Sequence, residues 1–389
     1  MRFGVIGFGG RMSCVINHCL RLEAPDLRIV GIVDPDRKGA TERLADCDKE
    51  AVFYDDLKSL MKHAKPDALA IGTRCNLHAP YAIEAAAYDL PIYLEKPVAI
   101  NHEQAQGLEK AWEKSKAPVV VSFPLKVSPL CLKTRERIQQ GVTGTPVHIA
   151  ALNYVPYGTV YWDELYRDYS ITGGLFLQKA THDLDYMAFL MGSPIVRVAA
   201  MGTFQQVFGG DKPSGLVCSR CPDERTCLES PRNRKTNCSG GSDKDHFCDF
   251  SVDCGTPETG TNEDCSSVLL EFASGAHGVY TQVFFTRRDA ARRGAIVSGY
   301  MGTVDMDWHR NDIRVVHHHQ PFSETIKAGE GLSHFGGDTE LARDFIGIIE
   351  GRGKSRTPIQ DGIQSVYTCL AARDSMRSGT FVNVKQVGT

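Results

Sequence analysis

The stretch Arg2-Phe3-Gly4-Val5-Ile6-Gly7-Phe8-Gly9-Gly10-Arg11-Met12 constrains the fold more than any other, because an apolar strand runs straight into a glycine-rich turn. Residues 11–21 read as the helix that follows. Gly7 permits the tight turn, Gly9 lets the backbone approach a pyrophosphate closely, and the helix start supplies N–H groups and a positive dipole end. Phe8, Gly10 and Arg11 complete this phosphate cradle. The third small position of the dinucleotide fingerprint holds Met12, which predicts that helix and strand stop short of their closest packing there. The next apolar run ends at Asp34, and a carboxylate at the end of a second strand accepts both ribose hydroxyls while repelling a 2′-phosphate. The expected cofactor is therefore NAD, with NADP left open by Arg37 and Lys38. A purely local role for Asp34, opening the Asp34-Pro35-Asp36 turn, is the alternative.

Strand-like runs at 2–7, 27–34, 51–54, 68–72, 91–95 and 118–122 alternate with helix-like ones at 55–63, 77–88 and 101–115. That alternation spells an α/β domain with a doubly wound parallel sheet. Ligands of such sheets sit at the carboxyl ends of the strands. Two segments fall there, Gly72-Thr73-Arg74-Cys75-Asn76-Leu77-His78 and Glu95-Lys96-Pro97, so Thr73, Arg74, Asn76, His78, Glu95, Lys96 and Pro97 are expected beside the cofactor. After residue 122 a helix at 132–140, a strand at 146–153 and a helix at 176–191 precede strands that cluster without intervening helices, at 195–204, 266–272, 278–285, 294–298 and 313–316. An α+β domain with an antiparallel sheet follows, closed by helices at 339–350 and 361–377. The 389 residues thus divide into a dinucleotide-binding domain, 1–122, and a substrate domain, 123–389.

A formal net charge of -3 gives no long-range attraction for nucleic acid or an anionic membrane, so a small-molecule partner is favoured. No apolar run reaches the length of a membrane span, and a first strand starting at Arg2 leaves no room for a signal peptide, which predicts a cytoplasmic protein.

Two places can carry chemistry. Lys96 stands where an apolar strand stops and a proline stiffens the chain, and from there a lysine reaches into an inter-domain cleft. A solvated pair with Glu95 is the plainer reading. In the second place, Gly173-Gly174 opens a helix on which Gln178 and His182 are four apart and share a face, with Asp185 three residues after the histidine. A nearby carboxylate orients an imidazole and raises its basicity.

Gly7-Phe8-Gly9, Asn76-Leu77-His78, Glu95-Lys96-Pro97, the stretch from Gly173-Gly174 to His182-Asp183, and His334-Phe335-Gly336-Gly337-Asp338 together resemble the Gfo/Idh/MocA family of NAD(P)-dependent oxidoreductases over almost the full length. The resemblance implies a Rossmann domain followed by an open, mainly antiparallel sheet whose outer face builds homodimers or homotetramers. It also implies sugar, polyol or related substrates. Lys96 and His182 match the family's catalytic lysine and histidine, while Gln178 holds the aspartate's place and cannot carry its charge. Lys96 is expected to favour the alkoxide of the reacting hydroxyl, and His182 to take its proton. Lys179, Asp183 and His334 are expected to meet substrate. The segment carrying Tyr154, Tyr157, Tyr161, Trp162 and Tyr166 reads either as a sugar-stacking wall or as core. Two alternatives come with the resemblance: redox-assisted cleavage of a glycoside by tightly held NAD, and a non-catalytic NAD-binding regulator.

Seven of the thirteen cysteines crowd into Cys218, Cys221, Cys227, Cys238, Cys248, Cys254 and Cys265, within and just after an insertion at 211–264 that is poor in apolar residues. Such a segment needs something other than a core. A structural zinc on Cys218, Cys221, Cys227 and Cys238 is one solution, with Cys248, Cys254 or His246 as alternative ligands. Free thiols, disulfides and an iron-sulfur cluster are the others. Arg287, Arg288, Arg292 and Arg293 read as a basic interface or solvated edge, and His317-His318-His319 as an exposed loop.

Overall fold

The computed structural model describes residues 1–156, 158, 160–163, 165–237, 245–252, 262–328 and 333–388, so that Tyr157, Cys238 and Cys254 lie outside the described residues. The chain forms two compact units. The first comprises Met1–Pro129, Glu330–Tyr367 and Gln386–Thr389, and the second Leu130–Gly329 and Thr368–Lys385.

In the first unit six strands, β1 (Arg2–Ile6), β2 (Arg28–Val33), β3 (Val52–Tyr54), β4 (Ala68–Ile71), β5 (Ile92–Leu94) and β6 (Val119–Val121), lie in the order β3-β2-β1-β4-β5-β6. Every pairing is parallel. The expected doubly wound sheet is therefore present. Strands β4, β5 and β6 are buried along their whole length, as unbroken apolar runs in a sheet covered on both faces should be. The first helix is α-helical over Gly10–Val15 and then widens into a π-helical turn at Ile16–Leu20. The expected cap at residue 101 is real: the Gln104 N–H donates to Asn101 Oδ1 at 2.9 Å. The short helix Arg37–Glu42, capped by the Asp36 carboxylate, was not anticipated, because its six residues carry almost no apolar signal.

The helix Gly337–Ile349 belongs to this first unit and not to the substrate domain in which the sequence placed it. Its Leu341, Phe345 and Ile346 are buried in one cluster with Phe3, Val5, Val15 and Ile16. The Phe345 ring stands edge-on to Phe3 at 5.8 Å and to Tyr93 at 5.6 Å. An apolar helical stripe is blind to its partner; the open face of β1 and β5 supplies one.

Among the described residues the second unit holds nine strands: β7 (Pro146–Tyr154), β8 (Ile195–Thr203), β9 (Cys265–Phe272), β10 (His277–Val283), β11 (Arg292–Gly299), β12 (Gly302–Asp307), β13 (Asp312–His317), β14 (Ser323–Lys327) and β15 (Val382–Asn383). Their order is β14-β13-β12-β11-β7-β10-β9-β8-β15. All pairs are antiparallel except β7 with β10, which run parallel. Strands β12, β14 and β15 escaped the sequence reading. In β14 four of five residues are exposed, so only the backbone of β13 marks it as a strand. A long helix, Leu175–Met191, is buried over nearly its whole length and packs against β7, β10 and β11. Among the described residues no helix is long and apolar enough to cross a membrane.

Candidate active site

The cradle is built by the first turn. Gly7 sits at φ +79° with its N–H on Val33 O at 2.8 Å, and a Cβ there would lie 2.6 Å from the Thr73 nitrogen. Only glycine fits. At Gly9 and Gly10 a Cβ would meet nothing within 4 Å, so the N-terminal end of the helix faces open space. Met12 does not hold helix and sheet apart as expected. It is fully buried against Gly72, where a Cβ would stand 2.7 Å from Met12 Cε, so the missing glycine is supplied by the end of β4.

A cleft of about 560 Å³ opens here, lined among others by Gly7, Gly9, Gly10, Asp34, Thr73 and Arg74. The Asp34 carboxylate lines it while accepting Phe8 N–H at 2.7 Å and Asp36 N–H at 2.8 Å. The local reading of Asp34 holds, since each oxygen orders the turn through one N–H, and each has a lone pair left over on the side of the cleft's lining. Arg37 also lines the cleft, as does Arg43, which sequence reasoning missed and whose Nε donates to Phe8 O at 3.0 Å. Asn76 and His78, unlike Thr73 and Arg74, do not line this cleft. The Asn76 carbonyl accepts Gln104 Nε2 at 2.8 Å. His78 is buried between Pro97 O at 2.8 Å and Thr73 O at 3.1 Å, tying the loops after β4 and β5 together. Burial pushes its pKa down, against the pull of those two carbonyls.

Arg11 connects three of the motifs. Its Nε donates to Glu95 Oε1 at 2.9 Å, Nη1 and Nη2 grip Asp338 at 2.8 and 2.6 Å, and Nη2 reaches Ser122 Oγ at 3.3 Å. The Ser122 hydroxyl donates to the same Glu95 oxygen at 3.0 Å, and the Lys96 N–H to the other at 3.3 Å. His334 Nδ1 is 2.8 Å from Asp338 Oδ2. Burial alone would push the Asp338 carboxyl up, yet the hydrogen bonds and charges of Arg11 and His334 hold it well below the usual carboxylate range. His334 and Phe335 stand at φ +45° and +57°, a left-handed pair without glycine of the kind that tends to mark functional loops. The Lys96-Pro97 bond is cis. Ser122 and Asp338 carried no sequence signal of this role, since their partner Arg11 is 111 and 327 residues away.

In the second unit Gly173 and Gly174, at φ +70° and +104°, deliver the chain into the helix Leu175–Met191. Its first turn is capped by a buried carboxylate that the sequence did not suggest: Glu263 Oε2 accepts Phe176 N–H at 3.0 Å. Gln178, Lys179 and His182 are all buried, and their spacing places them on one side of the helix. Lys179 Nζ donates to the Tyr161 hydroxyl at 2.9 Å. Asp183 is turned into the sheet, where Arg293 grips both oxygens at 2.9 and 2.7 Å and the Tyr280 hydroxyl adds a bond at 3.0 Å. Arg293 is therefore an interior cation and no part of the solvated basic edge expected of it. Trp162 is 1% exposed, stacked on Phe208 at 4.8 Å and joined to Val155, Tyr161, Leu175 and Phe284, so it is core and no sugar wall. Tyr154 lies half-buried on β7.

The described residues of the insertion are turned inside out. Cys218, Cys221 and Cys248 are buried and Cys227 half-buried, whereas Leu228, Phe247 and Val252 are exposed. Burial pushes the Cys218 thiol up to about 12, with Asp249, Cys248 and Cys227 adding to it. Among the described residues the sulfurs are not gathered within 4.8 Å of one another; the grouping that is so gathered is Asp163, His246 and Asp249. Arg234 bridges its two carboxylates, donating to Asp163 at 2.5 and 2.8 Å and to Asp249 at 2.8 Å. His246 has its two nitrogens on Phe247 O at 2.8 Å and Glu229 O at 3.2 Å. These residues form a buried ion cluster, and Cys218 Sγ lies beside it at 3.7 Å from His246 Nε2.

Residues 1–123 match the family model described as an oxidoreductase family with an NAD-binding Rossmann fold, and residues 131–305 match the GFO/IDH/MocA C-terminal domain. YteT of Bacillus subtilis (strain 168) is 24% identical over 359 residues, which cover 82% of each chain. The myo-inositol 2-dehydrogenase of Thermotoga maritima is 23% identical over 205 residues, spanning 52% of this chain and 58% of that enzyme. Among solved structures, an NAD binding oxidoreductase from Klebsiella pneumoniae superposes with a TM-score of 0.75 at 22% identity over 99% of both chains. Levoglucosan dehydrogenase, in a complex with NADH and levoglucosan, gives 0.76 at 18% identity over the whole of both. At these identities the shared property is the fold.

Proposed function

The chain belongs to the Gfo/Idh/MocA family of oxidoreductases, and from that premise we propose that it is an NAD-dependent enzyme acting on a hydroxyl or carbonyl of a sugar or polyol. The observation that carries this reading is the cleft beside Gly7, Gly9 and Gly10, whose open backbone and neighbouring Asp34 fit a dinucleotide. NAD bound there supplies the hydride acceptor, or in reverse the donor. The turn holds the pyrophosphate by its N–H groups, and Asp34 accepts the ribose hydroxyls and disfavours a 2′-phosphate. Lys96 hydrogen-bonds the reacting hydroxyl and stabilises its alkoxide, while His182 takes the proton. Gln178 and Lys179 stand beside His182 on its helix. With an amide in the aspartate's place and an ammonium one residue on, the helix carries no carboxylate at 178 to favour a histidinium, so the histidine works as a neutral base. The names of the inositol and levoglucosan dehydrogenases support polyhydroxylated substrates.

A homo-oligomer fits the same reading. Ala199, Leu269, Val279, Ala150 and Ile296 are in register across five strands, and Leu269 and Ile296 are exposed, so a second copy would cover an apolar row.

The test is to incubate the protein with NAD and a panel of polyols, free sugars and chromogenic glycosides, following NADH absorbance and aglycone release together. NADH accumulates with a free sugar or polyol, Lys96→Met lowers kcat by roughly 10³-fold with NAD affinity nearly intact, and His182→Asn removes the limb of the pH-rate profile near the histidine pKa. Aglycone release without net NADH would replace this reading with redox-assisted glycoside cleavage. Binding of NAD with no reaction on any substrate would leave a regulator.

A further inference from the structure

In β7 and β10, the one parallel pair of the nine-stranded sheet, His148 and His277 stand directly side by side. Tyr280 and Asn153 of the same strands reach Asp183 on the covering helix. Strand alternation therefore puts the two histidines on the opposite, outer face. His277 is exposed and His148 half-buried. Their rings meet with centres 5.0 Å apart and planes at 67°. Among the described residues none of their four ring nitrogens has a hydrogen-bond partner. The charges in the same row are committed to each other: Glu271, opposite His277 on β9, accepts Arg197 Nε at 2.6 Å. On the other side His148 faces the neutral Ser298 of β11.

Ring packing alone accepts any separation from about 4.5 to 7 Å, and carbon rings would serve it as well. Two imidazoles bring something more, a nitrogen lone pair each. An ion about 2.0–2.1 Å from a ring nitrogen stands about 3.2 Å from that ring's centre, so two rings on one tetrahedral ion have centres about 5.2 Å apart. The observed 5.0 Å falls close to that spacing. We propose that His148 and His277 are the protein ligands of a divalent transition ion, zinc, nickel or copper, held on the outer face of the sheet with water completing its coordination. Imidazole selects these ions over magnesium and calcium, which take oxygen ligands, and the carboxylate of the row is tied to Arg197. Nothing in this assignment depends on hydride transfer.

The experiment uses the full-length chain, freed of metal by a chelator that is then removed, with zinc chloride as the probe. Diethyl pyrocarbonate modifies imidazole nitrogens that hold no ion, and mass spectrometry reads each histidine separately. Zinc bound by the thiols of the insertion therefore does not enter the result. At about ten times its Kd, zinc is expected to slow modification of both His148 and His277 about tenfold, the fraction of sites left free. Magnesium at the same concentration protects neither. Because two rings hold one ion, the loss is reciprocal: His277→Gln removes the zinc protection of His148, and His148→Gln that of His277. The native chain alone supplies the first readout, which covers the case in which a variant fails to fold. No protection by zinc, equal protection by magnesium, protection of either ring that survives loss of the other, or rings closed to the reagent before zinc is added overturns the proposal.

Discussion

Arg293→Leu isolates the buried charge on which the second unit is built. Asp183, with no solvent exposure, spends both oxygens on Arg293 at 2.9 and 2.7 Å, and its other donors, the Tyr280 hydroxyl at 3.0 Å and Asn153 Nδ2 at 3.4 Å, are neutral. Removing the guanidinium therefore strands a carboxylate between helix and sheet, at a cost of about 3–5 kcal/mol. At roughly 2–4 °C per kcal/mol for a domain of this size, the melting temperature should fall by about 6–20 °C. The assay is thermal unfolding followed by circular dichroism at pH 7.5 for the native chain, Arg293→Leu, and Arg293→Leu/Asp183→Asn. The double variant should recover at least half of the loss, because the missing attraction matters less than the unpaired charge. A loss below about 1 kcal/mol, or a double variant as unstable as the single one, would refute the reasoning.

Gly7→Ala places a Cβ 2.6 Å from the Thr73 nitrogen at φ +79°, and both the clash and the left-handed backbone, about 1–2 kcal/mol for the latter, fall on the cradle; NADH affinity measured by fluorescence titration should drop at least tenfold, and an unchanged affinity would remove the turn from the binding site. Asp338→Asn tests the depressed carboxyl. Arg11 and His334 lower its folded pKa below the unfolded value, so its contribution is present above the ordinary carboxylate range and is lost as pH falls through the folded pKa. The variant should therefore melt below the native chain at pH 6 and converge with it as the pH drops below 4.

What the chain reveals by itself is what depends on near neighbours. The strand and turn at residues 2–12, the acid at the end of β2, the alternating strands and helices up to residue 122 and the cap at Asn101 are local patterns of period, glycine and polar side chain. Their physics is complete within a dozen residues. The cluster of cysteines was equally visible, but where the thiols lie depends on where loops run, and here Cys218, Cys221 and Cys248 share the interior with Arg234, Asp163 and Asp249. The helix Gly337–Ile349 announced its apolar stripe and not the sheet it covers. Arg11 was legible as part of a phosphate loop, whereas its grip on Asp338, 327 residues on, was not. The same holds for Asp183 and Arg293, 110 residues apart, which read as a substrate contact and a surface patch until the fold closed them on each other. Local propensity thus selects the elements and the cofactor turn; tertiary structure alone decides which buried charges meet, because a charge taken out of water must find its partner wherever in the chain that partner lies.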